Sequence, residues 1–223
     1  MPRKARIVIA DVPHHVTQRG NNRQDVFFVD DDWRVYLSIL KEQSEKYNLE
    51  ILGWCLMTNH IHLIARPAVS ESLAKAVGRT NFLYTQYINR MHKRSGHLWQ
   101  NRFFSCLLGR SHFWQALRYV EQNPLRAGMV KKAEKYPWSS ASAHITGKDE
   151  TGLLNLSYWR QISSSVDWQK SLAKMQSKEQ IEQIRLNTHT GRPLASDSFI
   201  SKLEKLLNKR LRPLPVGRPK KKE

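Results

Sequence analysis

Cysteine is nearly missing from this chain: its 223 residues include two, Cys55 and Cys106. Two cysteines support neither a disulfide framework nor a four-cysteine zinc site. Both sit among apolar neighbours, as reduced core thiols do. Long apolar runs are missing as well. No stretch approaches the ~18 apolar residues of a membrane span, and mean hydropathy is −0.60. The basic opening segment has one short apolar run, residues 7–10, before Asp11. That is too short for the core of a signal peptide, so a cytoplasmic protein with no membrane partner is expected. Acidic residues are scarce. Nineteen Asp and Glu face 37 Lys and Arg, for a net charge of +18 and a pI near 10.2. Such a balance points to a polyanion, nucleic acid before anionic membrane. With 40% hydrophobic residues and 9% aromatics, the chain is too apolar for a disordered polyelectrolyte.

The charge is uneven along the chain. Residues 1–150 carry 22 basic and 13 acidic side chains, whereas residues 151–223 carry 15 and 6. The last stretch, 200–223, carries 9 and 2 and reads as a phosphate-binding arm. There is no internal repeat, and low complexity is confined to Lys220-Lys221-Lys222.

The pattern of the first part predicts alternating elements. Residues 13–18 read as a strand ended by Gly20 and Asn21-Asn22. Asp30-Asp31-Asp32 opens a helix, because carboxylates at a helix start satisfy free N–H groups and the positive dipole end. Trp33, Tyr36, Leu37, Ile39 and Leu40 form its apolar face, and Asn48 fits its end. Residues 50–56 and 60–66 read as a hairpin around Thr58-Asn59, closed by Pro67. A helix capped by Ser70 or Ser72 runs to about residue 93. Residues 102–108 form a fourth strand, and Ser111 caps a helix ending at Asn123, because Pro124 disfavours helical geometry before it. The order β-α-β-β-α-β-α implies an α+β fold. It predicts a ferredoxin-like or RRM-like four-stranded antiparallel sheet with helices on one face and the other face open. A boundary is expected within 147–152, dividing a catalytic domain (1–147) from a basic helical extension (148–223) whose end is disordered. Residues 177–187 and 198–209 read as short basic helices in that extension.

Two groups of residues can do chemistry. His60 and His62 flank Ile61 on the third strand, so they share one face while Ile61, Leu63 and Ala65 share the other. Two imidazoles so placed can reach one divalent cation, or they are two half-exposed histidines without a ligand. On the last helix, Tyr119 and Asn123 stand four apart on one face. Tyr119 is a candidate nucleophile or a core ring. Asn123 supplies either a hard oxygen for Mg2+ or Mn2+ or a helix cap. The remaining histidines, 14, 15, 92, 97, 112, 144 and 189, show no ligand spacing and receive no role.

Taken together, Thr58-Asn59-His60-Ile61-His62-Leu63 and Tyr119-Val120-Glu121-Gln122-Asn123-Pro124-Leu125-Arg126-Ala127-Gly128 strongly resemble the single-tyrosine HUH transposases. Val16-Thr17-Gln18-Arg19-Gly20, Leu98-Trp99-Gln100-Asn101-Arg102-Phe103 and Tyr136-Pro137-Trp138-Ser139-Ser140 add to the resemblance. It covers about residues 5–145 and points to the bacterial REP-associated tyrosine transposase branch. Gly191-Arg192-Pro193-Leu194 and Gly217-Arg218-Pro219 in the tail are similar to that branch too. The resemblance implies that His60, His62 and Asn123 bind a divalent metal, Mg2+ or Mn2+. Asn123 replaces the Gln usual in insertion-sequence members. It also implies that Tyr119 attacks single-stranded DNA carrying hairpins, REP-like palindromes, and forms a 5′-phosphotyrosine. Insertion-sequence relatives are homodimers that exchange the tyrosine helix, whereas the REP-associated branch works as monomers, and the sequence leaves this open.

Trp99, and one of Phe103 or Phe104, are candidates to stack bases. Arg19, Arg102, Arg118 and Arg126 are candidate phosphate contacts, and Arg218 with Lys220 resembles an AT-hook core. The expected function is a metal-dependent strand transferase on the nucleoid. Two rival readings are a non-catalytic nucleic-acid-binding module and a phosphodiesterase that uses water.

Overall fold

Two spacings in the sequence, two-residue alternation and a 3.6-residue helical period, build most of the molecule. A computed structural model of the chain describes residues 6–213. Its four strands are β1 (His14–Arg19), β2 (Leu49–Met57), β3 (His60–Pro67) and β4 (Phe104–Leu107). They form one sheet in the order β2-β3-β1-β4, with every neighbouring pair antiparallel. Between β1 and β2 runs α1 (Asp30–Lys46), and between β3 and β4 runs α2 (Ser72–Met91). This is the expected ferredoxin-like plan.

Helix α1 starts where the acidic triplet puts it. The buried Asp32 carboxylate accepts from the backbone N–H groups of Phe28 (2.7 Å) and Val29 (3.1 Å), the two residues that lead into the helix, and so fixes where it begins. Trp33, Tyr36, Leu37 and Leu40 of α1 then meet Leu73, Ala76, Val77, Tyr84 and Ile88 of α2. Both helices cover Val16, Trp54, Leu56, Ile61, Leu63 and Ala65, the residues on one side of the sheet. Strand alternation thus assigns His15, His60 and His62 to the other side.

That other side, expected to be open, is partly roofed. Helix α3 (Arg110–Glu121) carries Phe113, Ala116, Leu117 and Val120 on one face. They pack on Leu52, Cys55, Met57 and Ile64. The signal is in β2, which is buried along almost its whole length, as a strand covered on both faces must be. Gly53 lets α3 come this close, since a Cβ there would lie 2.3 Å from Leu117 Cδ1. Both cysteines are buried free thiols.

Helix α3 ends at Glu121, and a short helix, α4 (Asn123–Arg126), follows at once. Pro124 therefore opens a helix rather than closing one. In a first turn its missing N–H costs nothing. Beyond it come α5 (Ala141–Thr146), α6 (Leu156–Ser163), α7 (Trp168–Ala173), α8 (Lys178–Thr190) and α9 (Asp197–Leu207). Ser177 and Ser196 cap the last two, accepting from the backbone N–H groups of Gln180 and Phe199. Trp159, Trp168, Leu172 and Ile184 join the core beneath α3. Leu203 and Leu211 pack with Leu107, Ile7 and Ile9. Among the described residues no helix is long and apolar enough to cross a membrane.

Candidate active site

His60 and His62 lie side by side on β3, with ring centroids 5.0 Å apart and planes nearly perpendicular. Each ring has one nitrogen engaged. Asn59 donates its amide N–H to the carbonyl of Arg23 at 3.0 Å, which turns its Oδ1 toward His60 Nδ1, 2.6 Å away. A carbonyl oxygen only accepts, so His60 carries its proton on Nδ1 and leaves Nε2 free. Nδ1 of His62 faces Nε2 of His15 at 2.9 Å, and His15 Nδ1 faces the Thr188 hydroxyl at 2.7 Å. Burial, followed by the charges of Arg19, Arg185 and Arg126, pushes His60 down to about 4. Burial and the Arg126 charge push His15 down to about 3. His62 falls well below the usual range, from burial first and then from its histidine and arginine neighbours. All three rings are therefore neutral at pH 7.

Tyr119 reaches this group from α3. Its ring stands edge-on to His62 and His15, at centroid distances of 5.5 and 5.7 Å. It is 4% exposed. Two arginines frame it. The Arg126 guanidinium lies 4.3 Å from the ring centroid and donates from Nη2 to the Tyr119 carbonyl. Arg185 Nε, on α8, is 3.4 Å from the Tyr119 hydroxyl. Burial lowers Arg126 to about 10, so it remains a cation at neutral pH. Its Nε and Nη1 are buried with no partner among the described residues.

The residues after Tyr119 anchor it. Glu121 is fully buried and accepts from Ser140 Oγ, His144 Nδ1 and Trp168 Nε1. Gln122 donates to the carbonyls of Leu172 and Lys174 at 2.8 and 3.0 Å. Asn123 donates to the carbonyls of Tyr119 (3.2 Å) and Val120 (3.1 Å). Its Oδ1 accepts no hydrogen bond among the described residues, so Asn123 both caps α3 and keeps a free oxygen.

No group of three His, Cys, Asp or Glu among the described residues is arranged to hold a metal. The donors present, however, suit a divalent cation. They are two neutral imidazoles, each with Nδ1 engaged by a neighbour, and an amide oxygen on the adjoining helix. Outer hydrogen bonds of this kind orient histidine ligands.

Several expected contacts lie elsewhere. Trp99 is not a base-stacking residue. It is 8% exposed, donates from Nε1 to the Asn81 carbonyl and packs with Tyr36 and Tyr84. Its position on the α1/α2 side of the sheet requires that burial. Phe103 is likewise core, and Phe104 lies against His189. Arg19 is exposed, paired across the sheet with His60. Arg102 is exposed and close enough to Arg6 to lower it. Arg118 is half-buried on α3 with Nε unpartnered among the described residues. Arg218 and Lys220 fall outside the described residues. His15, Thr188, Arg185 and Asn59 are site residues that spacing did not single out. For His15 a signal existed, since it sits on β1 in the same facing pattern as His60 and His62.

The family model described as "Transposase IS200 like" matches residues 9–123. A Haemophilus influenzae protein named as a REP-associated tyrosine transposase is 26% identical over 116 residues. That alignment spans 47% of this chain and 66% of the relative. A solved structure of a REP-associated tyrosine transposase bound to a REP hairpin superposes with a TM-score of 0.57 at 17% identity. It covers 70% of this chain and 90% of that one, a likeness of fold.

Proposed function

The chain belongs to the IS200-like transposase family, and on that basis we propose that it cleaves and rejoins single-stranded DNA at hairpins, with Tyr119 as the nucleophile. The observation that carries this reading is the meeting of the Tyr119 ring with His62 at 5.5 Å, beside two arginines. In the step proposed, the Tyr119 hydroxyl oxygen attacks a backbone phosphorus. A tyrosine-phosphate bond forms, the bond from phosphorus to the 3′ oxygen breaks, and that oxygen takes a proton and leaves as a 3′-OH. The 5′-phosphotyrosine conserves the ester, so a second 3′-OH can reverse the step and join strands. Water-based hydrolysis would lose that capacity.

Arg126 and Arg185 are suited to the charge of the reacting phosphate. Arg126 offers two buried N–H-bearing nitrogens with no partner among the described residues, and in a buried setting such donors act strongly on developing negative charge. His60 and His62, through Nε2, and Asn123, through Oδ1, are the residues that would hold Mg2+ or Mn2+. That ion would neutralise charge at the phosphate and polarise it for attack. Tyr119 stands beside the histidines of its own chain, which supports action in cis by a monomer. The REP hairpin held by the solved relative supports REP-like palindromes as the DNA, met on the nucleoid in the cytoplasm.

The test is incubation of the full chain with labelled single-stranded hairpin DNA and Mn2+ or Mg2+. A denaturant-stable protein–DNA adduct is expected, lost with EDTA and lost in Tyr119→Phe while DNA binding persists. The hydroxyl makes one long hydrogen bond, so its removal costs at most about 1 kcal/mol of stability. Cleavage by Tyr119→Phe at the parent rate would transfer the role to water. Binding without cleavage in the parent would leave a DNA-binding module.

A further inference from the structure

A chain of hydrogen bonds runs from α8 through β1 to β3, and the direction of each link follows from the one before. The Thr188 hydroxyl donates to the Ile184 carbonyl at 2.7 Å. A hydroxyl has one proton to give, so toward His15 Nδ1, 2.7 Å away, it can only accept. His15 Nδ1 therefore bears a proton. With the buried His15 ring neutral, its Nε2 is a lone pair, and it accepts from Nδ1–H of His62 at 2.9 Å. The His62 proton is then committed to Nδ1, and its Nε2 is left as a lone pair. This matches the state that Asn59 imposes on His60. The stacking of the His15 and His62 rings, 5.1 Å apart and 10° from parallel, holds the two nitrogens in register.

We propose that His15 and Thr188 are positioning residues that lock His62 in its Nδ1–H tautomer, so that α8 completes the histidine pair. Thr188 lies far beyond residues 9–123, the segment the family model covers. The histidine pair is supplied by that segment, and its protonation pattern is supplied by a helix outside it. Which imidazole nitrogen binds is decided by the hydrogen bond that the other one makes. An imidazole whose Nδ1 partner is no longer held has no such constraint. The proposal rests on the reading of His60 and His62 as a donor pair, and the experiment separates the two.

Long-range proton–nitrogen NMR correlations of the 15N-labelled, metal-free full chain report which His62 nitrogen is bare. The parent is expected to show a protonated Nδ1 and a bare Nε2. Thr188→Val removes the acceptor and keeps the shape, and should convert His62 to a mixture of tautomers. Thr188→Ser should restore the parent pattern. His15→Phe removes both links and should release His62 in the same way, which keeps the test decisive if Thr188→Val folds poorly. Mn2+ affinity, read from the resonance signal of free Mn2+, should fall about 10- to 100-fold in Thr188→Val and stay near the parent in Thr188→Ser. A bare Nδ1 on His62 in the parent would overturn the proposal. So would unchanged tautomer and affinity in both Thr188→Val and His15→Phe. If the tautomer shifts as expected but the parent binds no Mn2+, the relay stands and the metal reading falls.

Discussion

Replacing Glu121 by Ala should be among the most damaging single changes in this protein, although Glu121 contacts no proposed ligand. The carboxylate accepts from three groups of two later segments: Ser140 Oγ, His144 Nδ1 and Trp168 Nε1. Ser140 has an alternative, because its hydroxyl also lies 3.2 Å from the Trp54 carbonyl. His144 and Trp168 have none, and both are buried. Each orphaned buried donor costs ~1–3 kcal/mol, so the two together cost roughly 2–6. Glu121→Gln should be milder. Its oxygen can still serve Ser140 and His144, but its N–H2 then meets the Trp168 N–H, leaving one orphan and a loss of ~1–3 kcal/mol. Urea unfolding checks both, as a fall in midpoint at constant slope. Because Tyr119 lies two residues upstream on α3, cleavage should decline with the loss of stability in both variants. A Glu121→Ala protein within 1 kcal/mol of the parent, or no more destabilised than Glu121→Gln, would refute the reasoning.

Three further outcomes are expected. Arg126→Ala should leave stability within about 1 kcal/mol of the parent, since the cation–π contact it loses is offset by removing a buried guanidinium with unpaired nitrogens. Its affinity for single-stranded DNA should drop and its salt slope shrink by about 0.7 for one phosphate contact, and an unchanged slope would remove Arg126 from the DNA interface. Asn123→Ala should lose about 1 kcal/mol of capping and most cleavage at limiting Mg2+, whereas Asn123→Gln should keep part of the activity. If Asn123→Ala lowers only the melting temperature, Asn123 is a cap and not a ligand. In metal-free protein, stability should fall on acidification below about pH 6.5. His14 and His60, both pushed down to about 4, stay neutral in the native state while the unfolded chain takes up protons. Their contribution is complete above the unfolded value near 6.5 and declines toward pH 4, by up to ~1.4 kcal/mol per pH unit for each group. Melting temperatures measured from pH 7.5 to 4.5 check this, and a flat profile would contradict the burial of neutral histidines.

Local spacing was enough to specify the four strands and the helices α1, α2, α3, α8 and α9, but not the short helices α4 to α7. Alternation on β3 put His60 and His62 on the face away from Ile61 and Leu63, and the structure keeps them there. The 3.6-residue period chose which residues of α1 and α2 are buried, because a side chain's direction follows from its place in the element. Partners between distant elements are a different matter. No local period links His15 to Thr188, 173 positions later, or Tyr119 to Arg185, 66 positions later. These meetings exist because the apolar face of α3 packs over part of the histidine face of the sheet, with α8 beside it. On the other side of the sheet, packing against α1 and α2 sent Trp99 into the core, where an indole ring gains more by burial than on an exposed strand end. Pro124 starts a helix where its sequence position predicts an end, because a first turn has no use for the N–H that proline lacks. Spacing determines which way a side chain points, whereas only the packed tertiary structure determines what it meets there.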